Sequence, residues 1–328
     1  MATPRLAFVG PAHGASPWLL AAMARVGRFD ALCDDHAERD AGRFHARWTF
    51  DDVENMLAEA EPDGVVVSAS LADRSRIIRQ CLSAGAGVLV LGPPGTVRDC
   101  TRVATLAKLA ARPVLCAPAS RFSPATLLAK RLVESGRLGR PISMLIQSTR
   151  RGGVREGEDP DAPVPVDQVF EAVDLVHHLV GPLTRSTAVG HLDGVLFATC
   201  LTVDGVPVSI ACHSSGSVES VGLEYDVRAS DGSALRVDRD GRLRCGTGSR
   251  IDGSHEPRLA TMDPVTELGY EGLLAAFSRC LQSTSGGVVG RVAEMTKQAE
   301  SILRDASRQP RGLSSRRPSA VLGAGQPV

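Results

Sequence analysis

Short apolar runs alternate with longer stretches of helical periodicity over the first 120 residues, a pattern that predicts a parallel, doubly wound sheet. Strands are expected at Leu6 to Val9, Asp30 to Cys33, Gly64 to Ala69, Gly87 to Leu91 and Pro113 to Ala117. Between them, helices are expected near Ser16 to Val26, Asp51 to Ala60, Asp73 to Ser83 and Val97 to Ala111. The runs Val65-Val66-Val67 and Val88-Leu89-Val90 are apolar at every position, as in strands covered by helices on both faces.

From Pro141 the pattern changes to longer alternating strands, at Ile142 to Gln147, Val195 to Thr202, Val206 to His213, Leu223 to Ala229 and Ala234 to Val237. Asp-Gly pairs at 193–194, 204–205, 231–232, 240–241 and 252–253 favour the positive φ of hairpin turns, so the second sheet is expected to be mostly antiparallel. Helical segments at Glu267 to Leu281 and Arg291 to Ala306 close the fold, and one of them could pack back across the junction. The expected organisation is residues 1–120, 121–307, and a tail from 308 to 328 rich in Pro, Gly, Ser and Arg and expected to be disordered.

Acidic and basic residues balance at 37 each in 328, which gives no electrostatic reason to expect nucleic acid or an anionic membrane as partner. A small-molecule ligand is the expectation. Only Lys108, Lys130 and Lys297 are lysines; the other basic residues are arginines. Eight scattered cysteines without a C-x-x-C suggest neither a zinc site nor a disulfide framework. With no signal-like or membrane-length apolar stretch, the expected compartment is the cytoplasm.

The first strand runs into Gly10-Pro11-Ala12-His13-Gly14-Ala15 and then a helix, an arrangement that places backbone amides and a helix dipole where a pyrophosphate could sit. Against G-x-G-x-x-G/A, Gly10 and Ala15 fit, Ala12 replaces the middle glycine and Pro11 removes a donor. A plain strand-to-helix turn is the alternative, with His13 a turn residue. Asp34 closes the second strand 24 residues after Gly10, where an acid accepts hydrogen bonds from adenosine ribose hydroxyls. Asp35 beside it, with no arginine before Arg39, opposes a 2′-phosphate, so NAD is favoured over NADP. The alternative for this pair is a solvated acidic turn. The fold class is therefore α/β: a Rossmann-type doubly wound parallel sheet followed by an α+β unit with a mostly antiparallel sheet.

Further segments follow in order: Asp34-Asp35-His36-Ala37-Glu38-Arg39, Glu61-Pro62-Asp63-Gly64-Val65-Val66-Val67, Ala84-Gly85-Ala86-Gly87-Val88-Leu89-Val90, Arg121-Phe122-Ser123-Pro124, Ser135-Gly136-Arg137-Leu138-Gly139 and Asp174-Leu175-Val176-His177-His178-Leu179-Val180-Gly181. Together, over residues 5 to 306, they resemble the Gfo/Idh/MocA family of NAD(P)-dependent oxidoreductases. The resemblance implies hydride transfer between a nicotinamide and a sugar, polyol or similar alcohol, with the substrate between the domains. It also implies a second subunit covering the outer face of the antiparallel sheet. Cofactor contacts are expected from Gly10, Ala12, His13, Gly14, Asp34, Ser68, Ser70, Gly92, Pro93 and Arg121.

The chain departs from that family at two places. Its usual Glu-Lys-Pro reads Leu91-Gly92-Pro93, so the lysine that assists proton transfer is absent. Its Asp-x-Gly-x-His-x-x-Asp reads Asp167-Gln168-Val169-Phe170-Glu171-Ala172-Val173-Asp174, keeping both aspartates and replacing the histidine by Glu171. Losing one positioned proton-transfer group costs roughly 10²- to 10⁴-fold in rate.

Asp167, Glu171, Asp174 and His178 fall at i, i+4, i+7 and i+11, one stripe of a helix whose opposite stripe is Val169, Val173, Val176 and Val180. The stripe is either a solvated face or the wall of the substrate cleft. In the second case Glu171 serves as general base, with Asp167 or His178 tuning it. A divalent cation held by Glu171, Asp174 and His178 is a further alternative. Arg121 could contact the cofactor or an anionic substrate, or form a surface salt bridge. The charged segment Arg150 to Asp161 is either a lid over the cleft or a flexible insertion. Two functions follow: a divergent NAD-dependent oxidoreductase, or a non-catalytic protein that binds a dinucleotide or metabolite as a sensor.

Overall fold

The computed structural model describes residues 3–10, 17–34, 46–151, 165–191, 194–215, 222–247, 263–283, 287–289 and 291–307. The first sheet comprises β1 (Arg5–Val9), β2 (Arg28–Cys33), β3 (Trp48–Phe50), β4 (Gly64–Val67), β5 (Gly87–Val90), β6 (Pro113–Cys116) and a late strand, β14 (Gly287–Val289). Its order is β14-β6-β5-β4-β1-β2-β3, and every pairing is parallel. The chain moves outward from β1 to β3 and then crosses back to β4, so the direction of winding reverses between β1 and β4. The helices that follow these two strands, Pro17–Val26 and Leu71–Ser83, pack on opposite faces of the sheet, the place where open α/β sheets bind ligands.

The helices α1 (Pro17–Val26), α2 (Val53–Ala60), α3 (Leu71–Ser83) and α4 (Val97–Leu109) connect these strands. Their starts are set by local chemistry. The side chains of Asp52, Ser70 and Thr96 each accept from a backbone N–H in the first turn, and Asp99 completes a capping box with Thr96. The continuous apolar strands are explained by burial on both faces. Val65 and Val67 pack with Met56, Ile78 and Val103 of α2, α3 and α4, whereas Val66 packs with Leu19 and Met23 of α1. On that second face α1 is joined by α8 (Tyr270–Gln282), whose Leu273, Leu274 and Phe277 are buried against Leu6 and Phe8. A helix from the end of the chain thus does return to the first sheet, and β14 extends the same sheet beside β6.

A 3-10 turn (Ala119–Phe122) and α5 (Pro124–Glu134) lead from β6 into the second sheet. That sheet comprises β7 (Pro141–Arg151), β8 (Leu183–His191), β9 (Val195–Thr202), β10 (Pro207–Ser215), β11 (Gly222–Ala229), β12 (Ser233–Val237) and β13 (Leu243–Thr247). The order is β13-β12-β11-β7-β10-β9-β8, antiparallel throughout except for β7 with β10. Gly194, Gly205, Gly232 and Gly241 of the Asp-Gly turns all have positive φ; Asp252-Gly253 lies outside the described residues. Leu196, Ala198 and Cys200 of β9 point inward, toward α6 (Val166–Leu179) and α9 (Val292–Ser307), and alternate with the exposed Phe197, Thr199 and Leu201. Between α6 and α8 lies the single-turn α7 (Pro264–Glu267).

Arg150 and Arg151 belong to β7 and not to a loop; the rest of that charged segment, like the tail, lies outside the described residues. None of the eight cysteines forms a disulfide. Among the described residues, no helix is long and apolar enough to cross a membrane.

Candidate active site

Gly10 closes β1 with φ +126°, and a Cβ there would collide with the carbonyl of Ser68 at the end of β4. Its N–H donates to the Cys33 carbonyl at 3.0 Å, while the Ser68 N–H donates to the Val9 carbonyl at 2.8 Å. The left-handed φ and the close approach both require glycine. The glycine is thus required by the end of β4 itself, and residues 11–16, which follow it, lie outside the described residues. Asp34 follows Cys33 at the same edge, 9% exposed, with its N–H bonded to the Phe50 carbonyl. Ala12, His13 and Gly14, together with Asp35 and Arg39, lie outside the described residues.

Ser70 uses its hydroxyl at the start of α3. It accepts from Asp73 N–H and donates to Asp73 Oδ2 at 2.7 Å. Pro93 contributes its carbonyl, which accepts from Arg74 Nη1 at 3.2 Å.

The polar stripe of α6 is not an open face: Asp174 is buried, and Asp167, Glu171 and His178 are partly buried. Each of its carboxylates meets a group from the carboxyl edge of the parallel sheet. Arg74 in the first turn of α3 grips Asp167 with two hydrogen bonds of 2.6 Å. Ser120 donates to Glu171 Oε1 at 2.7 Å, and Arg121 donates to Asp174 Oδ1 at 2.8 Å. The Arg121 contact is thus not a surface salt bridge, since Asp174 is wholly buried. The stripe and the β4, β5 and β6 loops form one wall.

Electrostatics distinguish the members of this wall. Burial pushes the Asp174 carboxyl up to about 6, opposed by Arg121 and reinforced by the Glu171 charge. Burial likewise lowers His178 to about 4, with Arg121 and Lys130 adding to the effect. Asp167 is tied to Arg74, and the Glu171 charge adds to the raising of Asp174. No group of three or more His, Cys, Asp or Glu side chains is placed to hold a metal ion among the described residues.

Three participants were not singled out from sequence: Arg74, Ser120 and Gln168. Gln168 is fully buried and donates from Nε2 to the carbonyls of Ser148 and His213, fixing α6 to β7 and β10. An available signal for Arg74 was its position one turn into the helix after β4, at the ligand-binding edge. A groove of about 900 Å³ opens at the opposite, amino edge between Arg5, Asp63, Arg79 and Arg112, and none of the site residues lines it.

No family model matches the chain. Over 204 residues, 58% of this chain, it is 28% identical to inositol 2-dehydrogenase 2 of Saccharopolyspora erythraea, and the match spans 57% of that relative. An oxidoreductase from Agrobacterium radiobacter, solved in complex with NAD+, L-tartaric acid and magnesium, superposes with a TM-score of 0.76 at 13% identity, covering 94% of this chain and 97% of that one. The scyllo-inositol dehydrogenase of Lactobacillus casei gives 0.73 at 15% identity over 93% and 96%. A levoglucosan dehydrogenase, solved with NADH and L-sorbose, gives 0.72 at 14% over 94% and 97%. These neighbours are NAD-binding oxidoreductases of Gfo/Idh/MocA type, and the chain has their fold.

Proposed function

We propose that this chain, built on the Gfo/Idh/MocA fold, is an NAD-dependent oxidoreductase acting on a hydroxyl of a sugar, inositol or similar polyol, with Glu171 as the proton acceptor. The observation that supports it most is the wall described above: a carboxylate held by Ser120 at 2.7 Å, at the carboxyl edge of the parallel sheet. In this reading residues 1–120 bind the dinucleotide and residues 121–307 the substrate, with α8 and β14 returning to the first unit.

Gly10 would admit the pyrophosphate and Asp34 would accept from the ribose hydroxyls, an acid that favours NAD over NADP. NAD supplies the hydride acceptor when bound. As the hydroxyl carbon loses hydride, its O–H proton passes to a Glu171 carboxylate oxygen. The Ser120 hydroxyl fixes the other carboxylate oxygen, so the base is oriented before substrate arrives. A second copy covers the outer face of the second sheet, where Val189 and Phe197 pair across β8 and β9 and are each about half exposed.

The replacement of the family's lysine and histidine by Gly92 and Glu171 favours a second reading, a non-catalytic dinucleotide or metabolite sensor. Titration with NADH followed by fluorescence, then a panel of inositols, sugars and polyols followed at the nicotinamide absorbance, tests both. Binding with turnover supports the enzyme. Binding without turnover across the panel supports the sensor, and the absence of binding sinks both.

A further inference from the structure

Resting on the oxidoreductase reading, we infer that Arg74 is a positioning residue of this site, the cation that α3 supplies in place of the side chain Gly92 does not carry. Arg74 is buried, and its three nitrogens are all engaged. Nε donates to the Ala69 carbonyl at 2.9 Å, Nη1 to the Pro93 carbonyl at 3.2 Å and to Asp167 Oδ1 at 2.6 Å, and Nη2 to Asp167 Oδ2 at 2.6 Å. One guanidinium thus joins the loop after β4, the loop after β5 and the first turn of α6.

The volume beside residue 92 is filled by this pair. A Cβ at position 92 would stand 2.6 Å from Asp167 Oδ1 and 3.2 Å from Arg74 Nη1. A side chain at 92 would therefore press on the Arg74–Asp167 pair as it stands, and the pair would have to shift to admit it. Helix stability does not explain Arg74, because a cation in a first turn opposes the helix dipole. Burial does not explain it either, since removing a guanidinium from water is costly unless it is paired and fully hydrogen-bonded.

The chemistry differs from that of an ammonium. A guanidinium stays charged at every working pH and its planar fork fits a carboxylate, so Arg74 holds charge and geometry without exchanging a proton. It fixes Asp167 beside the loops after β4 and β5 and leaves proton transfer to the other carboxylates of α6.

The test compares the unmodified protein with Arg74→Ala, Arg74→Lys, Gly92→Lys and the Arg74→Ala, Gly92→Lys double substitution. Each is read by NADH titration, thermal melting and turnover against pH. Arg74→Ala is expected to keep NADH binding and lose roughly 10²-fold in turnover, the scale of one preorganised charged group. Arg74→Lys, with the charge but not the fork, should fold and fall between. Gly92→Lys alone should lower both melting temperature and turnover. In the double variant a lysine can enter the vacated volume, recovering at least about tenfold of the lost turnover and adding an alkaline ionisation that a guanidinium lacks. Unchanged turnover and pH profile in Arg74→Ala would overturn the inference. NADH titration of the unmodified protein reads the oxidoreductase proposal by itself. If that fails, melting still decides: equal destabilisation by Gly92→Lys with arginine or alanine at 74 overturns the steric conflict, and a smaller loss with alanine supports it.

Discussion

Arg121 donates to one oxygen of the Asp174 carboxylate at 2.8 Å, and the other oxygen, buried, has no hydrogen-bond partner among the described residues. The pairing is therefore incomplete, and desolvation dominates. A carboxyl raised from 3.8 to about 6 binds a proton in the folded state that the unfolded chain has already released. Its contribution to stability is present below about pH 4 and is lost as pH rises toward 6, on the order of 2 to 3 kcal/mol for two pKa units. His178, lowered to about 4 by burial, has the opposite slope, because its contribution is lost as pH falls from 6.5. The two oppose each other between pH 4 and 6. Urea denaturation across this range should therefore show Asp174→Asn gaining stability over the wild type as pH rises, and a variant that removes the His178 imidazole gaining as pH falls. Parallel profiles for Asp174→Asn and the wild type would show that Asp174 does not titrate as its burial implies.

Glu171 is the residue on which turnover depends in the proposed function. Glu171→Gln keeps an oxygen able to accept from Ser120 but cannot take up a proton. It is expected to reduce turnover by roughly 10²- to 10⁴-fold with NADH affinity within about twofold. Stopped-flow or steady-state absorbance at the nicotinamide band measures the first and fluorescence titration the second. Retained turnover would move the base elsewhere.

Gly10→Ala forces a Cβ against the Ser68 carbonyl at a left-handed φ. Because the obstacle is backbone, relief requires the ends of β1 and β4 to separate. Loss of NADH binding by more than about tenfold and a destabilisation above about 1 kcal/mol are expected, by calorimetry and chemical denaturation. Asp34→Ala tests the neighbouring acid without backbone strain. It should weaken NADH more than NADPH, narrowing the preference between them.

Phe197 reads the outer face of the second sheet. It stacks edge-on against His213 at 5.8 Å and lies opposite Val189 across the β8–β9 ladder. Phe197→Glu leaves the inward residues of β9 untouched, so the fold should persist while self-association is lost. Light scattering coupled to size exclusion distinguishes a wild-type oligomer from a monomeric variant; a wild type that is monomeric at micromolar concentration would remove the second copy from the proposed function.

Much of the fold could be read residue by residue. Val65 to Val67 and Val88 to Leu89 are apolar at each step because helices cover both faces, and Asp-Gly pairs turn hairpins because glycine accepts positive φ. The strands that escaped notice lack such local signatures. β3 and β14 are three residues each, and β14 exists only because β6 offers it a parallel partner far earlier in the chain. β8 is an edge strand whose first half, Thr184 to Thr187, is polar, recognisable by its register with β9 and not by alternation.

The site divides along the same line. Sequence alone determined that Gly10 and Asp34 stand at strand ends, that lysine is missing at 92, and that Asp167, Glu171 and Asp174 share one helical stripe, since residue identity and periodicity are local properties. Which way that stripe faces, and that Arg74 reaches Asp167 from 93 residues away into the space left by Gly92, was decided only by tertiary packing. A side chain's partner depends on which distant surfaces are pressed together, and the energy of a buried ion pair depends on the water excluded around it; neither is written in spacing along the chain.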